Sequence, residues 1–314
     1  MRILVTGGAG CLGSNLIEHW LPAGHEILAI DNFATGKREV LPDTDGLTVM
    51  EGSVADQELI RSAFDSFEPE FVAHSAASYK NPIDWREDVN TNVSGAVFLA
   101  QEAMRCGVKK IVNFQTALCY GRPQTVPVPV DHSTLPFTSY GISKTAGEAY
   151  LLQSGLPVIS LRLANTCGPR LAIGPIPTFY KRLKAGQGCF CSETIRDFLD
   201  MSDFLSLVDM LLENTIVSSG IFNVSTGKGY SIKDVYDAVG KYLEIVPPEV
   251  PIVPPSADDV PVMVLDPSET ERVLGWKARI SFEETINRQL KWYDAHGVND
   301  VFSHLVHPKE EGVV

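Results

Sequence analysis

Two hydrophobic rhythms alternate through the first half of the chain. Short apolar runs near 2–6, 26–30, 47–50, 70–74, 110–115 and 157–163 read as strands. Helical spacing between them predicts helices near 11–22, 56–66, 90–105 and 139–153. This βαβ order predicts a doubly wound parallel sheet of the Rossmann type, with helices on both faces. The texture changes at Pro169, where 169–190 is rich in proline and glycine. Arg196-Asp197-Phe198 then leads into a helical stretch ending near Glu213. A short strand at 222–225 is expected to return to the first lobe, Ser231 to cap a further helix, and 246–255 to form a loop or edge. Helices over 265–276 and 281–296 close the pattern, and 307–314 reads as a frayed tail. Two units are expected: an α/β lobe over 1–168 and a smaller mixed lobe over 169–314.

The first strand runs directly into Gly7-Gly8-Ala9-Gly10-Cys11-Leu12-Gly13 and then into a helical pattern. Glycines in that order let the chain turn sharply, bring backbone close to a pyrophosphate and pack the helix on its strand. The helix start offers free N–H groups to phosphate oxygens. The second strand ends in Asp31, roughly 20 residues beyond the glycines, where a carboxylate accepts from an adenosine ribose 2′-hydroxyl and repels a 2′-phosphate. That favours NAD over NADP, although Lys37 and Arg38 lie just beyond. The plain alternative for Asp31-Asn32 is a turn after a strand.

In Tyr140-Gly141-Ile142-Ser143-Lys144 a phenol and an ammonium lie one helical turn apart on one face. The positive charge is expected to lower the phenol pKa and make Tyr140 a usable general base. Thr116 follows a predicted strand, at the carboxyl edge where open α/β sheets bind ligands. Its hydroxyl is placed to bridge a substrate oxygen and Tyr140. The plain reading of Thr116 is a turn residue.

The 314 residues include 44% hydrophobic ones, ample for a large core. The net charge of −13 gives no help to nucleic-acid or anionic-membrane binding. No apolar run approaches the ~20 residues of a spanning helix, and no signal peptide is expected from the charged second residue and the short apolar run at 3–5. Cys11, Cys106, Cys119, Cys167, Cys189 and Cys191 are scattered without a Cys-x-x-Cys pair, so no metal site is expected. They read as reduced, packing thiols of a cytoplasmic protein.

Taken together, the motifs resemble those of the extended short-chain dehydrogenases/reductases, within the NAD-dependent epimerase/dehydratase group. The carriers are Thr6 to Gly13, Asp31-Asn32, His74-Ser75-Ala76-Ala77, Asn92, Thr116 with Tyr120-Gly121, Tyr140 to Lys144, Arg162 to Arg170, Arg196-Asp197-Phe198 and Leu274-Gly275-Trp276. They run in family order over nearly the whole chain. The chain is similar to UDP-galactose 4-epimerase-like proteins and, among them, to epimerases of bacterial lipopolysaccharide O-antigen clusters. The resemblance implies an NAD-binding Rossmann lobe and a substrate-binding lobe, with Thr116, Tyr140 and Lys144 as the catalytic trio. It implies NAD contacts from Gly7, Gly10, Cys11, Leu12, Asp31, Asn32, Gly36, Ser53 and Val54. Ser75, Ala76, Ala77, Asn92 and Leu163 complete that set together with Tyr140 and Lys144. Thr116, Asn165 and Arg196 are implied to meet a nucleotide-sugar substrate, the last two near its diphosphate. A homodimer through the helices near 90–105 and 139–153 is also implied. The plain alternative for Arg196 is a salt bridge to Asp197 or Asp200.

The chain departs from the family pattern at three places. Relatives carry Asp at the position of Ser53, to meet the adenine amino group. Relatives often carry Arg before a Gly-Asp pair where this chain has Ser256-Ala257-Asp258-Asp259. Sugar 4,6-dehydratases follow the threonine with Asp and Glu, whereas Ala117 and Leu118 do no acid–base work. The expected reaction is therefore oxidation and reduction at one carbon: Tyr140 takes the sugar C4 hydroxyl proton, hydride passes to NAD, and it returns to the opposite face of the keto sugar. The alternatives are a nucleotide-sugar 4-ketoreductase or dehydrogenase with net NAD(H) turnover, a substrate other than a nucleotide sugar, and a non-catalytic NAD-sensing protein.

Overall fold

A computed structural model describes residues 1–302 apart from 80, 82 and 214–216; the tail expected to fray lies outside the described residues. The first lobe is built on β1 (Arg2–Thr6), β2 (Glu26–Asp31), β3 (Leu47–Glu51), β4 (Phe71–His74), β5 (Lys110–Thr116) and β6 (Val158–Leu163). The strand Gly220–Val224 pairs with β6. The seven strands lie in the order Gly220–Val224, β6, β5, β4, β1, β2, β3, and every neighbouring pair is parallel. Their side chains alternate between two buried layers. Ile3, Val5, Ile27 and Ala29 pack toward α1 (Cys11–Trp20). Leu4, Leu28 and Ile30 pack toward α2 (Gln57–Phe67) and its neighbours. Burial on both faces explains why these strands read as continuous apolar runs.

The expected helix over 90–105 is in fact three segments. α3 (Trp85–Asp88) leads into a wide i→i+5 turn at Val89–Ser94 and then α4 (Gly95–Cys106). Such widened turns shift a side chain out of helical register, and they recur at functional sites. Helix α5 (Ser139–Gln153) carries the tyrosine–lysine pair, and the Thr138 hydroxyl caps its start by accepting from the Gly141 amide.

Of the later helices α6 (Pro175–Lys184), α7 (Met201–Glu213), α8 (Ile232–Tyr242), α9 (Ser268–Leu274) and α10 (Phe282–His296), α7 and α9 place Phe204, Leu207, Leu211 and Leu274 in the apolar layer of the large sheet beside α1, while the other three pack with short strand pairs as a second lobe. Phe179, Tyr236, Ile286 and Tyr293 form its core. Helix α6 falls where only proline- and glycine-rich chain was expected. Its prolines sit in the first turn, where no intrahelical N–H is needed. Helix α9 is shorter than the expected 265–276, because Leu265 bridges to Val128 and Asp266 caps Ser268. Ser231 forms a capping box with Asp234. Among the described residues, no helix is long and apolar enough to cross a membrane.

Candidate active site

β1 leads into α1 and onward to β2 and β3 on one side of the sheet, while β4, β5 and β6 extend it on the other. Their carboxyl ends open a crevice where that order reverses, the place where open α/β sheets hold ligands. The glycine turn forms one wall. Gly7 takes φ +66, and a Cβ on Gly13 would lie 2.2 Å from the Gly7 carbonyl oxygen, so no other residue lets the helix close on its strand this tightly. α1 starts without a side-chain cap and without an acid in its first turn, which leaves its amides free for an anion.

Asp31 ends β2 with its carboxylate aimed by two backbone amides, Ala9 to Oδ2 at 2.8 Å and Phe33 to Oδ1 at 2.8 Å. A Cβ on Gly36 would lie 2.7 Å from Ala9, which brings the loop after β2 against the glycine turn. On the β4 side, the Ser75 hydroxyl donates to the Thr6 carbonyl at 2.7 Å and the Ala76 amide to the Thr6 hydroxyl at 3.3 Å. Ala77 follows in the same loop, half-buried. These features fit a dinucleotide: an uncapped helix start for the pyrophosphate, a fixed carboxylate for a ribose, and glycines where side chains would block approach. Two expected contacts are less available. The Ser53 hydroxyl accepts from the Ala55 amide and Asn32 Oδ1 from the Ala34 amide, so both close local turns. Val54 is buried, and Leu163 ends β6 half-buried.

Thr116 ends β5, and its hydroxyl lies near enough to the Tyr140 phenol to hold the phenol pKa down. The same oxygen accepts from the Leu118 amide at 3.2 Å. Lys144 lies one turn along α5, buried, and among the described residues its ammonium has no hydrogen-bond partner. The expected effect of that lysine on the phenol is corrected here. Burial pushes the Tyr140 pKa well above the ordinary phenol value, Tyr79 adds to the rise, and the Thr116 hydroxyl opposes it. Burial also draws Lys144 down to about 8, with Glu148 holding it up. In the free protein the pair is therefore a protonated phenol beside a lysine poised near neutrality, because desolvation outweighs the neighbouring charge.

Several residues that sequence reasoning passed over build this arrangement. Glu148, one turn beyond Lys144, is buried and accepts from the Ser160 hydroxyl at 2.6 Å and from Arg162 at 2.9 Å. The Arg162 guanidinium lies 4.9 Å over the Tyr120 ring. Asn92 was expected to support the cofactor pocket, and its amide forms a bracket. Oδ1 accepts from the Ser78 amide at 2.9 Å, while Nδ2 donates to the Ser78 carbonyl and to the Ser143 hydroxyl, each at 3.0 Å. It ties the loop after β4 to the catalytic helix. Tyr79 follows Ser78 and meets the Tyr140 ring edge-on at 6.2 Å. Asp88, buried on α3, has a carboxylate oxygen without a hydrogen-bond partner among the described residues. The i, i+4 step from Lys144 could have flagged Glu148; nothing local marks Tyr79.

The second lobe supplies the other wall. Asn165 is exposed and donates to the Asp197 carbonyl at 3.2 Å. Arg196 pairs with neither Asp197 nor Asp200: its partner is Asp259, at 2.5 Å. Asp197 is instead buried and accepts from the Thr226 hydroxyl at 2.6 Å and the Gly227 amide at 2.9 Å, while burial lifts its pKa to about 6. The segment departing from the family pattern thus places a carboxylate on Arg196. The Arg122 guanidinium holds the same segment through the Ala257 carbonyl. The thiols of Cys11, Cys119 and Cys167 are all pushed up by burial. Among the described residues no cluster of side chains could hold a metal ion.

Comparison with known proteins agrees with this geometry. The Bordetella bronchiseptica enzyme WbmG, solved in complex with NAD and UDP, is 66% identical with a TM-score of 0.92, over 97% of each chain. The UDP-glucose 4-epimerase of Thermotoga maritima, solved with UDP-glucose, is 28% identical with a TM-score of 0.87, over 94% of this chain and 99% of that one. A UDP-glucose 4-epimerase of Mycolicibacterium smegmatis is 29% identical, over 93% of this chain and 98% of its own. Residues 3–225 match the model of the NAD dependent epimerase/dehydratase family, and the chain belongs to that family as an extended short-chain dehydrogenase/reductase.

Proposed function

We propose that this protein is an NAD-dependent nucleotide-sugar epimerase that inverts a hydroxyl-bearing carbon, C4 by family pattern, of a UDP-linked sugar. The observation that carries the reading is the Thr116–Tyr140 hydroxyl pair beside Lys144 at the sheet edge, followed by two side chains incapable of acid–base chemistry. Bound NAD supplies a reversible two-electron acceptor and a positively charged ring.

The chain's own residues handle the proton. Because the Leu118 amide donates to the Thr116 oxygen, the Thr116 hydroxyl is free to donate its proton toward Tyr140 or a sugar oxygen. In the loaded site, where a positively charged ring would join the Lys144 ammonium in opposing the effect of burial, Tyr140 gives up its own proton to solvent and takes the sugar hydroxyl proton as the phenolate, returning it later. Lys144, below its pKa of about 8, is the ammonium that stabilises this phenolate before the proton is taken and after it is returned. Glu148 is committed to Arg162 and Ser160, so it orients Lys144 without accepting its proton. Ala117 and Leu118 leave no group to drive an elimination, which supports epimerisation over dehydration. Asp31, Gly7, Gly10, Cys11, Leu12 and Ala76 are assigned to the cofactor, and Asn165 and Arg196 to the substrate diphosphate.

The relatives solved with UDP and UDP-glucose support a uridine nucleotide. Exposed Met104 on α4 and Ile142 and Tyr150 on α5 support a homodimer across those helices. A cytoplasmic role in supplying donor sugars for lipopolysaccharide O-antigen accords with the family resemblance. The test is incubation of purified protein with a panel of UDP-sugars, read by NMR for new stereochemistry and at 340 nm for NADH. Equilibration of a sugar pair without steady NADH change is expected. Steady NADH formation or loss would establish net redox chemistry instead.

A further inference from the structure

A cavity of about 290 Å³ lies between α1, the segment 167–169, the start of α7 and α10. None of the residues assigned to cofactor, substrate or proton transfer lines it. Met201, Leu205 and Trp292 are its apolar sides, and the Trp292 indole is held by stacking on His296, ring centroids 4.7 Å apart. Gln289 lines its buried end. This side chain is 1% exposed, and among the described residues neither its amide nitrogen nor its amide oxygen makes a hydrogen bond. The neighbouring Tyr293 hydroxyl donates to the Leu171 carbonyl at 2.6 Å. A primary amide offers two donors and an acceptor, and burying them unmet is costly. An apolar side chain would line the cavity without that cost, so the amide suits a molecule that enters.

The surrounding charge narrows the class of that molecule. At the mouth, exposed Arg288 donates to Glu284 at 2.8 Å and to the Ser202 hydroxyl at 2.9 Å, and it lies 3.5 Å from the Asp200 carboxylate. Two carboxylates thus share one guanidinium, and the net negative charge opposes entry of an anion. A neutral molecule with N–H and C=O groups side by side matches the Gln289 amide through two hydrogen bonds. The volume suits a single ring rather than a nucleotide.

We propose that this cavity is a second small-molecule site, separate from the catalytic crevice, for a neutral ring with an amide edge, either a carboxamide or the N–H and C=O edge of a pyrimidine base. Asn15 ties it to the cofactor wall, because its Nδ2 donates to the Cys11 carbonyl at 2.7 Å and to the Pro169 carbonyl at 3.0 Å. The cavity therefore backs onto the first turn of α1. Water is the competing occupant, since it too can meet a buried amide.

The experiment uses the full chain saturated with NAD and UDP, so that the crevice is filled, and titrates it with nicotinamide, uracil and nicotinate by ligand-observed NMR. Nicotinamide or uracil is expected to bind with a Kd of about 10 mM or tighter, and the tighter of the two identifies the preferred edge. Nicotinate, the same ring bearing a carboxylate, is expected to bind at least about tenfold more weakly. Gln289→Leu should weaken binding of the amide by at least about tenfold, with NAD uptake unchanged. No saturable binding of either neutral probe, equal binding of nicotinate, or binding that survives Gln289→Leu would overturn the site. Should Gln289→Leu fail to fold, crystals of the loaded wild type soaked in nicotinamide and in uracil decide: a ring against Gln289 supports the site, and water alone rejects it.

Discussion

The two walls of the crevice are built on different physical terms. On the sheet side, Thr116, Tyr140 and Lys144 stand on buried, mutually paired groups: Glu148 with Arg162 and Ser160, and Asn92 with Ser78 and Ser143. Each of these partners is out of water, so breaking one strands another. On the second-lobe side, Arg196 meets Asp259 nearer the surface and Asn165 is exposed. A pair only partly shielded from water is less costly to separate than a fully buried one, because solvent can replace part of each partner. The contrast indicates that the chemistry is preorganised, while the diphosphate contact proposed for Arg196 would require it to leave Asp259 for another anion.

The largest effect expected is on the sheet side. Tyr140→Phe should lower kcat by about a thousandfold or more, with NAD still bound. A variant that keeps most of its turnover in a UDP-sugar assay would remove the tyrosine from its assigned role. Glu148→Gln should lower stability by about 3–5 kcal/mol, since it leaves Arg162 buried and unpaired. Urea unfolding measures this, and a loss below 1 kcal/mol would mean that the buried network is not what holds this wall.

Lys144 gives a test in which activity and stability move in opposite directions. Its ammonium is drawn from 10.5 to about 8 in the folded chain. The unfolded chain binds the extra proton between those values, so this group destabilises the fold fully below pH 8, and the cost fades as pH rises to 10.5. Lys144→Met should therefore cut turnover by at least about a hundredfold while adding about 3 kcal/mol of stability at pH 7. The gain should shrink toward pH 10.5, as read by unfolding across that range. The wild-type rate should fall above pH 8 as the ammonium is lost.

The smallest effect belongs to the other wall. Asp259→Asn should change stability by less than about 1 kcal/mol and tighten UDP binding about two- to tenfold, because Arg196 no longer has a competing carboxylate. Calorimetric titration with UDP would show it. Weaker binding would mean that Asp259 positions the guanidinium rather than competing for it.

Legibility from sequence followed the same division. The parallel sheet, the glycine turn and the carboxylate ending β2 were readable because each depends on residues a few positions apart. The prolines at 175 and 177 concealed α6, since a breaker inside a helix is harmless in its first turn. Asn92 was recognised as a site residue, but the bonds by which it acts were not readable, because its partners Ser78 and Ser143 lie on two other segments. Tyr79 carried no local mark.

By itself the sequence determined the βαβ rhythm, the glycine-rich start of α1 and the one-turn step from Tyr140 to Lys144, all of which follow from backbone geometry over short spans. Only the tertiary structure decided where protons reside and which charges meet. Burial raised the phenol and lowered the ammonium, and Asp259 reached Arg196 across 63 residues. Desolvation and long-range pairing depend on atoms that the chain brings together only on folding, so no local spacing encodes them.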